Sequence, residues 1–259
     1  MVERGAYLTV AAGCVSCHWD RKGGGARFAG GRALKTPFGT FYSPNITPDI
    51  ATGIGAWSDD EFLDALLDGT GSHGEQLYPV FPYTSYSHMR VSDALAIKAY
   101  LFSLQPVKAR NRPHQLQFPF TWRGLMKGWK LLFFQNEIPG TPPTEPVEVA
   151  RGRYLAQALG HCGECHTPRN VLGAMDSSAF LRGNPKGPEG WAVPALVGPS
   201  KSDFAHWSVE EIEEYLKSGV KPDFDSVQGP MAEVIEDNTK LLTAEDRNAI
   251  ARYLKSLNQ

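Results

Sequence analysis

Two five-residue segments, Cys14-Val-Ser-Cys17-His18 and Cys162-Gly-Glu-Cys165-His166, constrain this chain more than anything else in its 259 residues. Between them they hold all four cysteines. Cys-x-x-Cys-His is the attachment signature of c-type haem. On a helix, cysteines at i and i+3 lie about one turn apart on one face, and a histidine at i+4 joins them. Thiols so placed can add to the two vinyl groups along one porphyrin edge, while the imidazole is directed at the iron. The expectation is two covalently bound haem c groups, one on Cys14 and Cys17 and one on Cys162 and Cys165, with His18 and His166 as the proximal ligands. A zinc site is another use of paired Cys-x-x-Cys knuckles. Such knuckles stand about 15–20 residues apart, whereas these are 145 positions apart and each has its own histidine. A thioredoxin-like redox pair needs a βαβ setting that the sequence does not offer.

The segments around the motifs repeat as well. Gly5-Ala-Tyr-Leu precedes the first motif and Gly152-Arg-Tyr-Leu the second. Phe41-Tyr-Ser-Pro44-Asn-Ile aligns with Trp191-Ala-Val-Pro194-Ala-Leu, and Trp57-Ser58 aligns with Trp207-Ser208. Ser58 and Ser208 are N-cap residues with Glu61 and Glu211 three positions on, which predicts two capping boxes. Gly69 and Gly219 stand where a terminal glycine stops each helix. Late in each half, Ile97, Tyr100, Leu101 and Leu104 match Ile250, Tyr253, Leu254 and Leu257, one apolar helical stripe apiece. Thr243 is the expected cap of the second of these helices. The reading is a duplicated all-α architecture: two tandem domains, each a few helices around one haem. The boundaries are 1–108, an interdomain linker at 109–146, and 147–259.

A second axial ligand separates an electron carrier from a catalyst with an open iron. In the first half the choices are His73, His88 and Met89, and Met89 sits just upstream of the terminal helix. In the second half Met231, in Gln228-Gly-Pro-Met, stands upstream of Thr243, with His206 and Met175 as rivals. The chain has only five methionines, so one late in each half argues for ligation by Met89 and Met231 over simple packing. His88 remains the competitor at the first iron. A thioether ligand favours the reduced iron and leaves little room for oxygen or peroxide. Pro44 and Pro194 occupy one repeat position, where a free carbonyl can accept the other N–H of the proximal imidazole. Arg32 and Trp57 are expected donors to haem propionates, and Trp207 belongs to the same environment.

Composition removes other classes. A formal charge of −2 excludes broad electrostatic binding of nucleic acid. With 21% charged and 42% hydrophobic residues, the chain is neither disordered nor membrane-like. No run of about 18 apolar residues is present to span a bilayer. Residues Met1 to Leu8 show no basic stretch leading into an apolar one, so no signal peptide is read there.

Taken with the motifs, the segments Thr36-Pro-Phe-Gly-Thr-Phe-Tyr-Ser-Pro-Asn-Ile-Thr-Pro-Asp, Gly53-Ile-Gly-Ala-Trp-Ser, Leu77-Tyr-Pro-Val-Phe-Pro-Tyr-Thr-Ser-Tyr and Gly229-Pro-Met-Ala-Glu-Val carry a resemblance. The chain resembles, over nearly its whole length, the multihaem cytochrome c subunits of bacterial periplasmic alcohol, aldehyde and gluconate dehydrogenases. The resemblance implies cytochrome c folds, methionine at the positions of Met89 and Met231, and a periplasmic location. It implies electrons arriving from a dehydrogenase and leaving toward the respiratory chain. Members carry three haem motifs and this chain two, so the resemblance does not extend to a third haem that reduces quinone. The family's Pro-Asn element is kept at Pro44-Asn45, which puts Asn45 in the haem 1 environment, but reads Pro194-Ala195 in the second half.

The linker is rich in proline, and within it Trp122, Leu125, Met126, Trp129, Leu132 and Phe133 fall on one helical stripe, a short helix. Such a stripe is normally buried against its own chain. The functional expectation is a dihaem electron carrier, not an enzyme, working with a donor dehydrogenase and a cytochrome or oxidase acceptor. The alternative is a dihaem peroxidase or oxidase with one open site; a pure haem sensor is a third class. Haem c is attached outside the cytoplasm, so a periplasmic protein whose leader was removed is expected.

Overall fold

The helix that leads into the first haem motif is amphipathic for a simple reason: Gly5, Leu8, Thr9 and Ala11 recur at helical spacing and are the residues it buries. A computed structural model describes residues 1–134, 145–198 and 203–258, apart from the side chains at 203 and 205. It divides into two units, Met1–Asn136 and Glu137–Gln259. In the first, α1 (Val2–Ala11) is followed by α2 (Cys14–Cys17). A hairpin of β1 (Ala33–Thr36) and β2 (Gly39–Tyr42) comes next, then α3 (Asp59–Leu63), α4 (Tyr83–Tyr86) and α5 (Val91–Ser103). Strand β3 (Gln115–Leu116) and α6 (Leu125–Phe133) complete the unit.

The second unit runs α7 (Val147–Arg153), α8 (Gly163–His166), α9 (Asp203–His206), α10 (Val209–Ser218), α11 (Pro230–Asp237) and α12 (Ala244–Ser256). Both expected capping boxes form, Ser58 with Glu61 at α3 and Ser208 with Glu211 at α10. Gly69 and Gly219 adopt left-handed conformations at φ 70° and 75°, which residues with a Cβ avoid, and end these helical segments. Thr243 caps α12 by accepting from the Asp246 backbone N–H. Two single π-helical turns were not foreseen; they extend α3 through Asp64–Asp68 and α7 through Tyr154–Leu159.

Each unit is closed by its first and last long helices, α1 on α5 and α7 on α12. Their backbones nearly touch. A Cβ added at Gly5 would lie 1.8 Å from the Ala96 carbonyl oxygen, and one at Gly152 would lie 1.8 Å from that of Ala249. An ion pair fastens each crossing. Arg4 Nε donates to Asp93 at 2.9 Å, and Arg151 donates to both carboxylate oxygens of Asp246 at 2.8 and 2.7 Å. Each aspartate sits in the first turn of its helix, where the dipole also favours a negative charge.

The expectation of an all-helical chain needs a correction. Residues 33–42 form a hairpin, and β3 adds to it in the antiparallel order β1-β2-β3. The reason lies in the turn. Thr36 Oγ1 accepts the Phe38 N–H at 3.1 Å and donates to the Gly39 carbonyl at 2.9 Å, which folds the chain back on itself. Gly39 has φ 127° and lets the backbone of Gln115 approach to 2.3 Å from where a Cβ would stand. The helix expected in the linker is α6; of its apolar stripe Met126 and Trp129 are buried, Trp129 edge-on to Tyr83 at 6.5 Å, whereas Trp122 and Leu132 are exposed, so the stripe is buried only in part. Linker residues 135–144 lie outside the described residues.

Because the crossings are backbone to backbone, Gly152→Ala is expected to force α7 from α12 and cost about 1–3 kcal/mol, the usual penalty of overpacking. Gly5→Ala is expected to do the same in the first unit. Denaturant midpoints of the two variants check this, against Gly128→Ala, where open space surrounds the added methyl.

Candidate functional site

Both haem motifs lie in short helices entered from a tight turn. Gly13, at φ 64°, turns the chain out of α1 and into Cys14–Cys17. In the second unit His161 takes the comparable left-handed place, at φ 39°. All four cysteines stand at intermediate exposure and none is in a disulfide. Burial, reinforced by the neighbouring Cys17, pushes the Cys14 thiol up to about 12, and burial pushes Cys162 up to about 11. Among the described residues, no three His, Cys, Asp or Glu side chains gather as a metal site would require. The zinc reading therefore gains nothing from the geometry.

The two histidines are held alike. His18 and His166 are each only 8% exposed. His18 Nδ1 donates to the Pro44 carbonyl at 2.7 Å, and His166 Nδ1 donates to the Pro194 carbonyl at 2.8 Å. Burial lowers both pKa values below the ordinary imidazole value, and the carbonyl contact offsets this only in part. Each ring is thus neutral at pH 7, with its proton on Nδ1. The lone pair on Nε2 is left for a metal.

Glycines bring the carbonyl to the ring. Gly30 N–H donates to the His18 carbonyl at 3.1 Å, and a Cβ on Gly30 would stand 2.4 Å from the Pro44 carbonyl oxygen. Gly183 N–H donates to the His166 carbonyl at 2.8 Å, and a Cβ there would stand 2.8 Å from the Ala195 nitrogen. Gly30 and Gly183 have φ of 73° and 84°. No residue with a side chain fits these approaches.

Met89 is buried, 4% exposed, in the turn between α4 and α5, and its N–H donates to the Tyr86 carbonyl at 2.8 Å. Tyr86 ties this turn to the haem motif, because its hydroxyl donates to the Ala12 carbonyl at 2.7 Å. His88 is half-buried beside Met89; His73 is exposed, its N–H donating to Glu75. Met231 is half-buried as the second residue of α11. That helix starts at Gly229, φ 63°, where a Cβ would lie 2.8 Å from the Trp191 ring. Trp191 thus brings the start of α11 to the strand-like segment that carries Pro194. His206 is exposed, and Met175 is half-buried in a loop.

The remaining expected residues are placed differently from one another. Arg32 Nη1 donates to the Ser16 carbonyl at 2.6 Å, which anchors its guanidinium on the motif helix. Trp57 is half-buried just before the α3 cap. Trp207 packs on Phe204 and Tyr215, with ring centroids 4.9 and 5.2 Å away. Asn45 is 2% exposed and braces the Pro44 loop. Its Nδ2 donates to the Val107 carbonyl at 2.7 Å and to Thr52 Oγ1 at 3.1 Å. Its Oδ1 accepts from the N–H and hydroxyl of Thr47 at 2.9 and 2.7 Å.

Ala195 cannot do this in the second unit, and Asn258 does it from the far side. Asn258 Nδ2 donates to the Leu196 and Leu254 carbonyls, both at 3.0 Å, and its Oδ1 accepts the Gly198 N–H at 3.0 Å. Sequence reading missed Asn258 because the loop groups it braces, at Leu196 and Gly198, lie 62 and 60 positions away. The one available signal was the missing Asn at 195, which leaves a loop in need of a brace.

The donor set fits a haem c in each unit. It comprises two thiols three residues apart, an imidazole with Nε2 unprotonated, and a thioether on the segment before a long helix.

Comparisons with known proteins agree. The cytochrome c family profile matches residues 2–105. A protein named diheme cytochrome c-type, from Cereibacter sphaeroides, is 47% identical over 98% of this chain and 84% of its own length. The gluconate 2-dehydrogenase cytochrome c subunit of Pantoea cypripedii is 38% identical over 99% of this chain and 59% of its own length. The fructose dehydrogenase cytochrome subunit of Gluconobacter japonicus is 39% identical over 99% of this chain and 52% of its own length. The chain thus spans between about half and three-fifths of these two dehydrogenase subunits.

Asn258→Ala is expected to leave the Leu196 carbonyl and Gly198 N–H without their partner, at a cost of about 1–3 kcal/mol. Native-state hydrogen exchange should show faster exchange at Gly198 and no change at Thr47. Asn45→Ala should show the reverse pattern.

Proposed function

The chain belongs to the dihaem c-type cytochrome family, and from that premise we propose how its residues divide the work. It carries two covalently bound haem c groups and acts as an electron carrier rather than a catalyst. Our reading is that residues 1–108 and 147–259 are tandem cytochrome c domains. Cys14 and Cys17 hold the first haem and Cys162 and Cys165 the second. His18 with Met89, and His166 with Met231, would supply the protein ligands of the two irons. When bound, each haem supplies a reversible one-electron couple at its iron.

The chain's own residues set the conditions for that couple. Pro44 and Pro194 take the Nδ1 proton of each imidazole in a hydrogen bond, which fixes the ring orientation and raises its basicity toward the iron. Burial of His18, His166 and Met89 keeps water from the ligands. A thioether as the second protein ligand would favour the reduced iron and would leave little room for oxygen or peroxide. The observation that carries the reading is the duplicated carbonyl contact, 2.7 Å at His18 and 2.8 Å at His166. It sets one neutral, oriented imidazole behind each pair of thiols.

The electron donor is proposed to be a dehydrogenase, since relatives aligned over 99% of this chain are named as cytochrome subunits of dehydrogenases. The acceptor is proposed to be a cytochrome or oxidase of the respiratory chain. Among the described residues, no helix is long and apolar enough to cross a membrane. The proposed location is the periplasm, where haem c is attached.

Mass spectrometry of the exported protein should show two added haems, and one after Cys14→Ser with Cys17→Ser. The oxidised spectrum should be low-spin with an iron–sulfur charge-transfer band from both haems. Met89→Ala and Met231→Ala should each remove half of that band and lower one midpoint potential, while His88→Ala leaves the band whole. A high-spin haem in the unmodified protein would refute the double His/Met assignment.

A further inference from the structure

The total charge of −2 conceals a division. Met1–Asn136 carries 14 Lys and Arg against 10 Asp and Glu, a net +4, whereas Glu137–Gln259 carries 12 against 18, a net −6. In the first unit, part of this positive charge stands directly beside the haem motif. The loop that leaves His18 holds Arg21, Lys22 and Arg27, all exposed, and its one acid is Asp20. The Trp19 ring organises it: the guanidinium of Arg21 lies over that ring at 4.2 Å and that of Arg27 at 5.3 Å. Trp19 Nε1 donates to the Gly25 carbonyl at 2.8 Å, and Asp20 Oδ1 accepts the Gly23 N–H at 2.9 Å, so the loop is folded on itself. Its base is fixed to the site, because Trp19 bridges to Gly30, whose N–H donates to the His18 carbonyl.

The corresponding loop of the second unit has other chemistry. Between Pro168 and Met175 its one cation, Arg169, is paired with Glu164. Val171 is 91% exposed and Leu172 is 48% exposed, so the loop offers apolar side chains where the first offers guanidinium groups. Two loops at one repeat position, with matched interiors and opposed surfaces, point to two different encounters.

We propose that the Trp19–Arg27 loop is the docking surface through which the first haem exchanges electrons with an acidic redox partner, the second haem serving a partner of different surface chemistry. The proposal rests on the electron-carrier reading. Guanidinium groups held on an aromatic ring are positioned before encounter and are weakly hydrated, which suits them to carboxylates. A localised positive field beside a redox centre raises the encounter rate with an anion and loses that effect in salt.

The test uses the fully haem-loaded chain and small probes of opposite charge. The reduced protein is mixed with hexacyanoferrate(III), each ion of which takes one electron from a haem and becomes hexacyanoferrate(II). A parallel series uses the cation tris(phenanthroline)cobalt(III), which likewise takes one electron. The first-haem phase is identified as the one whose absorbance change is altered by Met89→His. For hexacyanoferrate that phase should slow about tenfold as salt shortens the Debye length from about 30 Å to about 3 Å. Combined Arg21→Glu, Lys22→Glu and Arg27→Glu should slow it by a similar factor at low salt and accelerate the cobalt reaction. The glutamine triple variant should fall between, which separates charge from loop structure. Unchanged first-haem rates with both probes, or equal slowing of both haems, would overturn the docking assignment. So would binding to anionic vesicles that the glutamate variant abolishes while its oxidation kinetics stay unchanged, since the loop would then serve a lipid surface. If neither haem passes an electron to either oxidant, the carrier reading itself fails.

Discussion

Everything in each unit depends on two helices crossing where one of them has no side chain. At Gly5 the backbone of α1 meets the carbonyl of Ala96, and at Gly152 the backbone of α7 meets that of Ala249. The crossing joins segments roughly ninety positions apart. The haem motif follows directly from the first helix of the pair, and the methionine proposed as ligand precedes the second, so closure brings both ligand-bearing segments into one small unit. The buried carboxylates of Asp93 and Asp246 add direction, since each is paired with an arginine on the crossing helix. Losing either arginine would take the opposite charge away from a desolvated carboxylate, which is why such pairs fix geometry even where they add little stability.

Within that frame the chemistry asks for one thing, a neutral imidazole pointing a fixed way. Burial alone makes it neutral but does not orient it. The proline carbonyl orients it, and the loop carrying that carbonyl must be braced. The two units reach the same contact with different braces. Asn45 lies within its loop and reaches out to Val107, whereas Asn258 reaches in to Leu196 and Gly198 from the end of α12. The contact distances at the two histidines differ by only 0.1 Å despite this. The imidazole–carbonyl bond is the constrained quantity, and the asparagine that serves it is interchangeable.

The local chemistry of the site was legible because it is written in short range. Cys-x-x-Cys-His, the capping boxes at Ser58 and Ser208, and the glycine stops at Gly69 and Gly219 each depend on residues within about one or two helical turns. The repeat added what no single motif shows, pairing Pro44 with Pro194 and so pointing at the two carbonyls. What escaped reading depends on distant partners. The β1–β2 hairpin has only two residues in its turn and its third strand comes from residues 115–116, so its composition reads as loop. The extension of α3 and α7 by π-helical turns has no composition signal. Tyr86 hydrogen-bonds Ala12 across 74 positions, and nothing at either end announces the other.

Duplication explains why interior and surface behave so differently between the halves. An interior position such as Gly30 or Gly183 is held by atoms less than about 3 Å from where a Cβ would stand, so drift there is penalised at once. A loop such as 19–27 touches mostly solvent, and its charge can change without disturbing the imidazole beneath it. Two copies of one motif therefore keep their interior contacts and diverge in what surrounds them. Identical surfaces would make the second haem a spare for the first. Surfaces of different character would give each haem its own preferred encounter. On this argument the functional distinction between the two sites lies outside their iron ligands, in the side chains that meet the partner first.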